Sequence, residues 1–552
     1  MEDSKQSVAS SKSVLYISTS IIAVLILWGA LSPGSLGNAS GKALDWIIET
    51  FGWFYMLLLS GFVLVGLGLA VSPFGRIRLG KEGEKPEHSW LSWVGMLFAS
   101  GLGVGFVFFG VAEPLLYYLD TPVGIEPATV DSAESGIRYG VFHWGLHAWG
   151  AFSIVGLTLA YVQFRKGRPA LISSAFYPLL GNKVNGWVGK LIDVFAVIAT
   201  CAGVATTFGL SAMQITGGLS YVTSLPNSIY IQLAVILVVT ILFIFSAVKG
   251  IDKGIKRLSN INLVLAALLL LFVLFTGPTL FVLENMVNTF GGYLSNVVSM
   301  SFTMTPYSES EWLGTNTIFF WAWHVSWSPF VGLFIARISK GRTVREFMAG
   351  VLIVPTVLAV IWFSVFGGSG LFFEMYQGAG LADIVSTDVE NAMFVLLEQL
   401  PLTTLVSGMA IILILIFFVT SADSAAFVLG SMTSNGRLNP ANKLKVMWGV
   451  LIAATASVLL ISGDGGLDAL QTAALTAALP FACILILMIV SVFMMMGRDL
   501  GYEKRKKRSE QLEVIKSEVK EEIKEDLYEE LKEEVYDEVR QELQESEQKK
   551  TD

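Results

Sequence analysis

The sequence predicts an all-α polytopic membrane protein with twelve transmembrane helices, and three observations carry that prediction. Hydrophobic residues fill 53% of the 552 positions and charged residues only 15%, which leaves more apolar surface than a water-soluble chain can hide. Apolar runs approaching the ~20 residues that cross a bilayer recur near 14–32, 52–73, 90–113, 139–163, 188–215, 228–248, 260–284, 315–337, 346–373, 403–431, 445–462 and 473–497. Basic residues also gather in alternate connections, as they do in cytoplasmic loops. They are Arg76, Arg78, Lys81 and Lys85; Arg165, Lys166, Arg168 and Lys183; Lys249, Lys253, Lys256 and Arg257; Lys340, Arg342 and Arg345; and Arg437, Lys443 and Lys445. The intervening connections are acidic or uncharged (Asp120, Glu126, Asp131; Glu309, Glu311; Asp383, Asp388, Glu390; Asp464, Asp468), with Lys42 and Arg138 as exceptions. Both termini are therefore expected in the cytoplasm and the chain in the cell membrane, as a multi-pass protein.

Taken in order, residues 1–13 form a polar cytoplasmic lead, 14–497 the transmembrane body and 498–552 a charged cytoplasmic helix. No small-residue cleavage site precedes the first span, which is expected to be retained. Span 3 carries Ala99-Ser100-Gly101-Leu102-Gly103-Val104-Gly105; such a run either breaks the helix or lets a neighbour approach closely. No strand and no Walker lysine accompany it, so it does not read as a phosphate loop. Span 4 reads His143-Trp144-Gly145-Leu146-His147-Ala148-Trp149-Gly150-Ala151-Phe152. On a helix Trp144 and Phe152 share a face with Trp149 beside them, which suits lipid-facing packing or a ligand. His143 and His147 stand i, i+4, but with no glutamate between them and no third ligand they argue against a metal site. Cys201 and Cys483, both inside spans, make no disulfide framework.

Span 8 is the most informative segment. From Trp321 to Arg342 it holds Trp321, Trp323 and Trp327 beside Ser326-Trp327-Ser328-Pro329. Tryptophan prefers the membrane interface, and proline in a span leaves a carbonyl that needs another partner; both features mark a substrate site or, more simply, an aromatic belt with a kink. Aromatic faces bind methylated cations through the ring quadrupole. Interruptions in spans 3 and 8, five spans apart, predict a five-plus-five inverted repeat (spans 3–7 and 8–12) with spans 1 and 2 as extras. Span 10 offers Phe417-Phe418-Val419-Thr420-Ser421-Ala422-Asp423-Ser424. Its hydroxyls, with carbonyls freed at the span 3 break, suit a hard cation such as sodium, while Asp423 reads as a structural acceptor or as a pathway carboxylate.

The tail changes character. From Tyr502 onward 18 acidic and 12 basic residues supply −6 of the formal charge of −8. Lys504-Arg505-Lys506-Lys507-Arg508 makes a collar suited to anionic lipid headgroups. Ile515, Val519, Ile523, Leu527, Leu531, Val535, Val539 and Leu543 then recur every four residues, predicting a long amphipathic helix. It is either a solvated charged helix or a regulatory one that packs on a neighbouring subunit or responds to the ionic state of the cytoplasm.

Ala322-Trp323, Ser326-Trp327-Ser328-Pro329-Phe330, Ala336-Arg337-Ile338-Ser339-Lys340-Gly341-Arg342, Gly101-Leu102-Gly103-Val104-Gly105 and Thr420-Ser421-Ala422-Asp423-Ser424 together resemble the betaine/carnitine/choline transporter family over nearly the whole membrane body. The resemblance implies a LeuT-like five-plus-five core, usually trimeric, that takes up compatible solutes. It implies substrate-binding residues Trp144, Trp149, Phe152, Trp323, His324 and Trp327, with the glycine run Gly101, Gly103 and Gly105 beside them and Trp327 also on the cytoplasmic exit path. One sodium would be held by the carbonyls of Ala99, Leu102 and Phe417 and the hydroxyls of Thr420 and Ser421. A second sodium site would draw on Thr200 and Phe330, though Val204 stands where another hydroxyl would help.

Two departures bear on the solute. Phe152 replaces a tyrosine common in betaine carriers, and His324 replaces a second adjacent tryptophan. Imidazole adds a donor and an acceptor where indole offers a better π-face. The leading expectation is sodium-coupled uptake of a zwitterionic or quaternary ammonium osmolyte, with ectoine or hydroxyectoine preferred if the polar corner at His324 decides. Sodium-independent trimethylammonium exchange and an osmotically gated channel are the competing readings. No Ser-His-Asp arrangement, P-loop or nucleotide signature is present, so an enzyme, a cofactor other than Na+ as coupling ion, and a nucleic-acid partner are not expected.

Overall fold

The computed structural model describes residues 2–548 except Leu102, Ser224, Gly250, Ile251, Glu309, Leu438 and 463–466. The side chains of residues 2–11, 98–101, 247–249, 252–257, 467, 502–507, 510, 545 and 547 also lie outside the description. The loop acids Glu309 and Asp464 and most of the basic collar therefore fall outside it.

The chain forms helices α1 (Glu2–Leu31), α2 (Pro33–Val71), α3 (Trp90–Gly101), α4 (Val104–Leu119), α5 (Val130–Trp144), α6 (Leu146–Ala160), α7 (Tyr177–Leu180), α8 (Trp187–Val222) and α9 (Ile229–Lys249). They continue as α10 (Asp252–Thr276), α11 (Thr279–Phe302), α12 (Phe319–Ile338), α13 (Val344–Gln377), α14 (Leu381–Thr387), α15 (Ala392–Glu398), α16 (Thr403–Met432), α17 (Asn442–Ser462) and α18 (Leu467–Gln548). Among the described residues, 11 helical stretches are long and apolar enough to cross a membrane. The remaining expected span is divided into α3 and α4, with Gly103 in extended conformation (φ −99°, ψ −166°) at the junction. Residues 2–13, the polar lead, are helical and continuous with the first span.

The interruptions differ from those expected in one respect. Span 8 is not broken: α12 runs through Pro329. Pro329 has no N–H to offer the Val325 carbonyl four residues earlier, but the Ser328 hydroxyl donates to that carbonyl at 2.7 Å. Two residues earlier the Ser326 hydroxyl likewise donates to the Trp323 carbonyl at 2.8 Å, but it is the Ser328 hydroxyl that replaces the donor that proline lacks. The second interruption lies in span 4, at Gly145 (φ −94°, ψ −130°), between α5 and α6. A side chain there would press within 2.5 Å of the Val141 carbonyl.

Spans 4 and 8 form the centre. Of the most apolar eighteen residues in each, 94% are buried, against 22% and 17% in α9 and the membrane part of α10. Since lipid is as apolar as a leucine side chain, close packing rather than water exclusion holds such helices together. At the crossing of α6 and α12 a Cβ on Gly332 would lie 2.5 Å from the Val155 side chain and 3.1 Å from the Gly156 nitrogen. The expected span 7 also overran its end: α10 stops at Thr276, and Pro278 caps a separate helix, α11. That helix buries Val282, Thr289, Tyr293 and Met300 while exposing Leu280, Val287, Leu294 and Val298.

A polar latch fixes the start of α3. Backbone pairs join Leu79 to Arg342 and Val344 to Ile77, and Arg78 bridges to Thr343. The Arg342 guanidinium lies 4.2 Å from the Trp93 ring centre and donates to the carbonyls of His88 (2.9 Å) and Ser89 (3.2 Å). Nearby, hydrogen bonds from the Lys81 backbone and the Lys340 ammonium hold the Glu84 carboxyl below its ordinary range. Lysine at 342 keeps the charge but not the planar fork. Arg342→Lys is expected to cost about 2 kcal/mol, read as earlier thermal loss of monodisperse protein in detergent with solute KM within twofold of the parent.

Residues Phe493–Asp552 form a second unit. It is helical as far as Gln548, and Ile515, Val519, Ile523, Leu527, Leu531, Val535, Val539 and Leu543 are all exposed along it.

Candidate functional site

Breaking span 3 brings the first turn of α4 against the central helices, and an aromatic box forms there. Gly105, Trp144, Thr207, Trp323, His324 and Trp327 line a narrow cleft whose side chains close on one another, leaving no room for a water molecule. Trp144, the last residue of α5, stands edge-to-face on Trp323 (5.7 Å, 89°) and on His324 (5.3 Å, 88°). Trp323 and Trp327, one turn apart on α12, tilt by 32° with centres 6.2 Å apart. Gly105 is the floor: a Cβ there would sit 2.3 Å from Cη2 of Trp144 and 3.0 Å from Cη2 of Trp323. A Cβ on Gly103 would lie 3.2 Å from Cη2 of Trp327. Gly101, expected beside them, lies outside the described side chains.

The polar edges of the box are sparsely paired. Trp323 Nε1 donates to the Gly203 carbonyl at 3.3 Å. Among the described residues, Trp327 Nε1 and both ring nitrogens of His324 make no hydrogen bond of normal geometry, although the Phe320 carbonyl one turn back faces the His324 ring. Buried unpaired donors cost on the order of 1–3 kcal/mol each, a cost that a solute with matching acceptors removes. Thr207 is a box residue that the sequence did not single out; its hydroxyl bonds the Gly203 carbonyl at 3.2 Å.

Trp149 and Phe152 are buried but do not line the cleft. Phe152 backs it, 5.7 Å from His324 and 6.0 Å from Trp327, and Trp149 stands behind Phe152 at 5.6 Å. The break at Gly145 separates them from Trp144. It separates the two histidines as well: His143 faces Glu113 and Thr317, whereas His147 bonds Ser301 at 2.9 Å and stacks on Trp321.

The residue most clearly missed is Glu113. It is fully buried on α4, accepts from Trp144 Nε1 at 2.7 Å and lies 2.9 Å from His143 Nδ1. The sequence did contain a signal, since an acid within an apolar run at membrane depth is costly and needs partners.

The proposed cation ligands are only partly in view. Leu102 lies outside the described residues and Ala99 has no described side chain. On α16 the Thr420 hydroxyl donates to the carbonyls of Ile416 (2.8 Å) and Phe417 (3.1 Å). Ser421 is half-buried next to it. Thr200 is buried on α8 with its hydroxyl on the Ala196 carbonyl at 2.8 Å. Phe330 is buried on α12, its ring 5.8 Å from that of Trp327. A larger groove of about 470 Å³ is walled mainly by apolar residues such as Ile22, Leu25, Leu459 and Pro480, with a few hydroxyls (Ser40, Thr455, Thr472) among them; it carries no charged side chain for a zwitterion.

Residues 13–500 match the family model described as BCCT, betaine/carnitine/choline family transporter. The chain is 50% identical over 505 residues to the glycine betaine transporter OpuD of Bacillus subtilis, covering 91% of this chain and 97% of that protein. It is 44% identical over 499 residues to an ectoine/hydroxyectoine transporter of Virgibacillus pantothenticus (90% and 98%). A probable glycine betaine transporter of Desulfitobacterium hafniense is 40% identical over 487 residues (88% and 97%).

Proposed function

The chain belongs to the betaine/carnitine/choline transporter family, and from that premise we propose that it takes up a zwitterionic compatible solute coupled to sodium, by alternating access. The aromatic box carries this reading. Trp144 and Trp323 offer π-rich surfaces to a methylated cation, while Trp327 Nε1 and the His324 ring offer hydrogen bonds to a carboxylate. Thr420, Ser421 and the Phe417 carbonyl would supply oxygens for sodium, together with the carbonyls of Ala99 and Leu102; Thr200 and Phe330 would flank a second sodium. The protein would work as a homotrimer with both termini in the cytoplasm and the collar on anionic lipid.

A second solute class has its own support. Ectoine's ring nitrogens can pair with imidazole, and the sparsely bonded His324 ring favours such a solute over one whose cation is wholly methylated. Labelled-solute uptake into proteoliposomes, competed by glycine betaine, ectoine, choline and carnitine with and without a sodium gradient, tests both. Accumulation against a gradient is the expected result. Obligatory exchange without net accumulation would instead support the sodium-independent exchanger, and single-channel currents a gated channel. In the same assay His324→Trp should shift relative KM towards glycine betaine by about tenfold, since cation–π contacts are worth ~0.5–2 kcal/mol. An unchanged ranking would leave the histidine outside the recognition.

A further inference from the structure

We propose that Glu113 is a positioning residue for transport, whose carboxyl group sets the angle of the Trp144 indole in the box through a hydrogen-bonded chain spanning three elements. The inference rests on the reading that Trp144 contacts the solute. The chain begins at Thr317, in the π-helical turn Gly314–Ile318 that leads into α12. Its hydroxyl lies 3.0 Å from His143 Nε2, His143 Nδ1 lies 2.9 Å from Glu113 Oε2, and Trp144 Nε1 donates to Glu113 Oε1 at 2.7 Å. The chain closes in either protonation state of Glu113. A protonated carboxyl donates to His143, which donates on to Thr317; with an ionised carboxylate and a neutral imidazole the bonds run the other way, Thr317 donating to His143 and His143 to Glu113. Trp144 donates to the other oxygen of Glu113 in both.

Burial makes this arrangement directional in its consequences. Glu113 is 1% exposed, and His143 and Thr317 are 0% exposed, so no water competes for these bonds and a displaced partner stays unpaired. The indole of Trp144 is wedged by Phe106 at 5.4 Å and Phe320 at 5.8 Å, but ring contacts alone leave its rotation about the Cβ–Cγ bond soft. The Nε1 bond removes that freedom. It holds the ring edge-on to Trp323 and His324, and it does so from α4, the half-helix that also brings Gly105 to the floor.

Two conservative variants separate reach from the ionisable group. Glu113→Gln keeps the reach: its carbonyl accepts from Trp144, and its amide donates to a His143 that donates on to Thr317. Glu113→Asp keeps the acid but draws it back by one methylene. For labelled glycine betaine uptake by the full chain in proteoliposomes, normalised to monodisperse protein, Glu113→Gln should hold KM within about threefold, whereas Glu113→Asp should raise it about tenfold with Vmax little changed. In a Trp144→Phe background, which has no indole N–H, Glu113→Asp should add less than about twofold, the non-additivity of a shared interaction. The proposal is overturned by the opposite order, with Gln worse than Asp, which would make the charge or a proton the working feature. Full additivity with Trp144→Phe would overturn it too. Trp144→Ala with unchanged KM would instead defeat the reading of the box, so the two failures are distinguishable.

Discussion

Gly105→Ala is expected to raise solute KM between ten- and a hundredfold while leaving the amount of folded protein near that of the parent. The added methyl would meet Trp144 Cη2 at 2.3 Å and Trp323 Cη2 at 3.0 Å, where carbon atoms pack best near ~3.5–4.0 Å. Neither indole can retreat freely. Trp144 is tied to Glu113 and enclosed by Phe106 and Phe320, and Trp323 is stacked on Phe319 at 5.7 Å and bonded to Gly203. Overpacking of this kind costs about 1–3 kcal/mol, and each ~1.4 kcal/mol is a factor of ten in affinity. Gly103→Ala, whose methyl would meet only Trp327 and at 3.2 Å, should be several-fold milder. Uptake kinetics of the two variants in proteoliposomes check the ranking. Equal and small effects would mean that the box has slack and that α4 is not its floor.

Removing both span 10 hydroxyls should have the other large effect. Thr420→Ala with Ser421→Ala deletes two oxygens proposed for sodium but leaves the helix intact, since the Thr420 hydroxyl only adds to backbone carbonyls of its own preceding turn. Half-maximal sodium activation is expected to rise at least about tenfold, with solute KM rising in parallel at fixed sodium because coupled binding is reciprocal. A sodium titration of initial uptake rates measures this. An unaltered sodium curve would move the coupling ion away from α16, and uptake indifferent to sodium in the parent protein would remove the coupling itself.

Much of the fold was legible because hydropathy is a local property. Each span announces itself within its own run of residues, and α3 with α4 was foreseen as an interrupted helix from its glycines. Pro329 misled for an equally physical reason. Proline removes one donor, but whether the helix opens depends on what replaces that donor, and here Ser328 does so from the adjacent position. The Gly145 break was hidden because a single glycine, here between Trp144 and Leu146, is tolerated in a straight span as well as in a bent one. Its position separates Trp144 from Trp149, a separation that helical spacing does not show. Glu113 was overlooked because its two partners lie 30 and 31 residues away, and Thr317, which closes the chain through His143, a further 174 from that histidine.

What could be read along the chain was the series of apolar spans, the alternation of basic and acidic loops and the stock of aromatic and hydroxyl groups available for a solute and an ion. Transfer into hydrocarbon and the bias of positive charge are paid residue by residue, so they leave marks in sequence order. Folding in three dimensions settled which of those groups meet: Trp144 with Trp323 and His324, Glu113 with Trp144, and Phe152 behind the cleft instead of in it. Those pairings depend on the rotation, depth and tilt of each helix against its neighbours. Close packing between small and large side chains fixes these quantities, and no local periodicity encodes them.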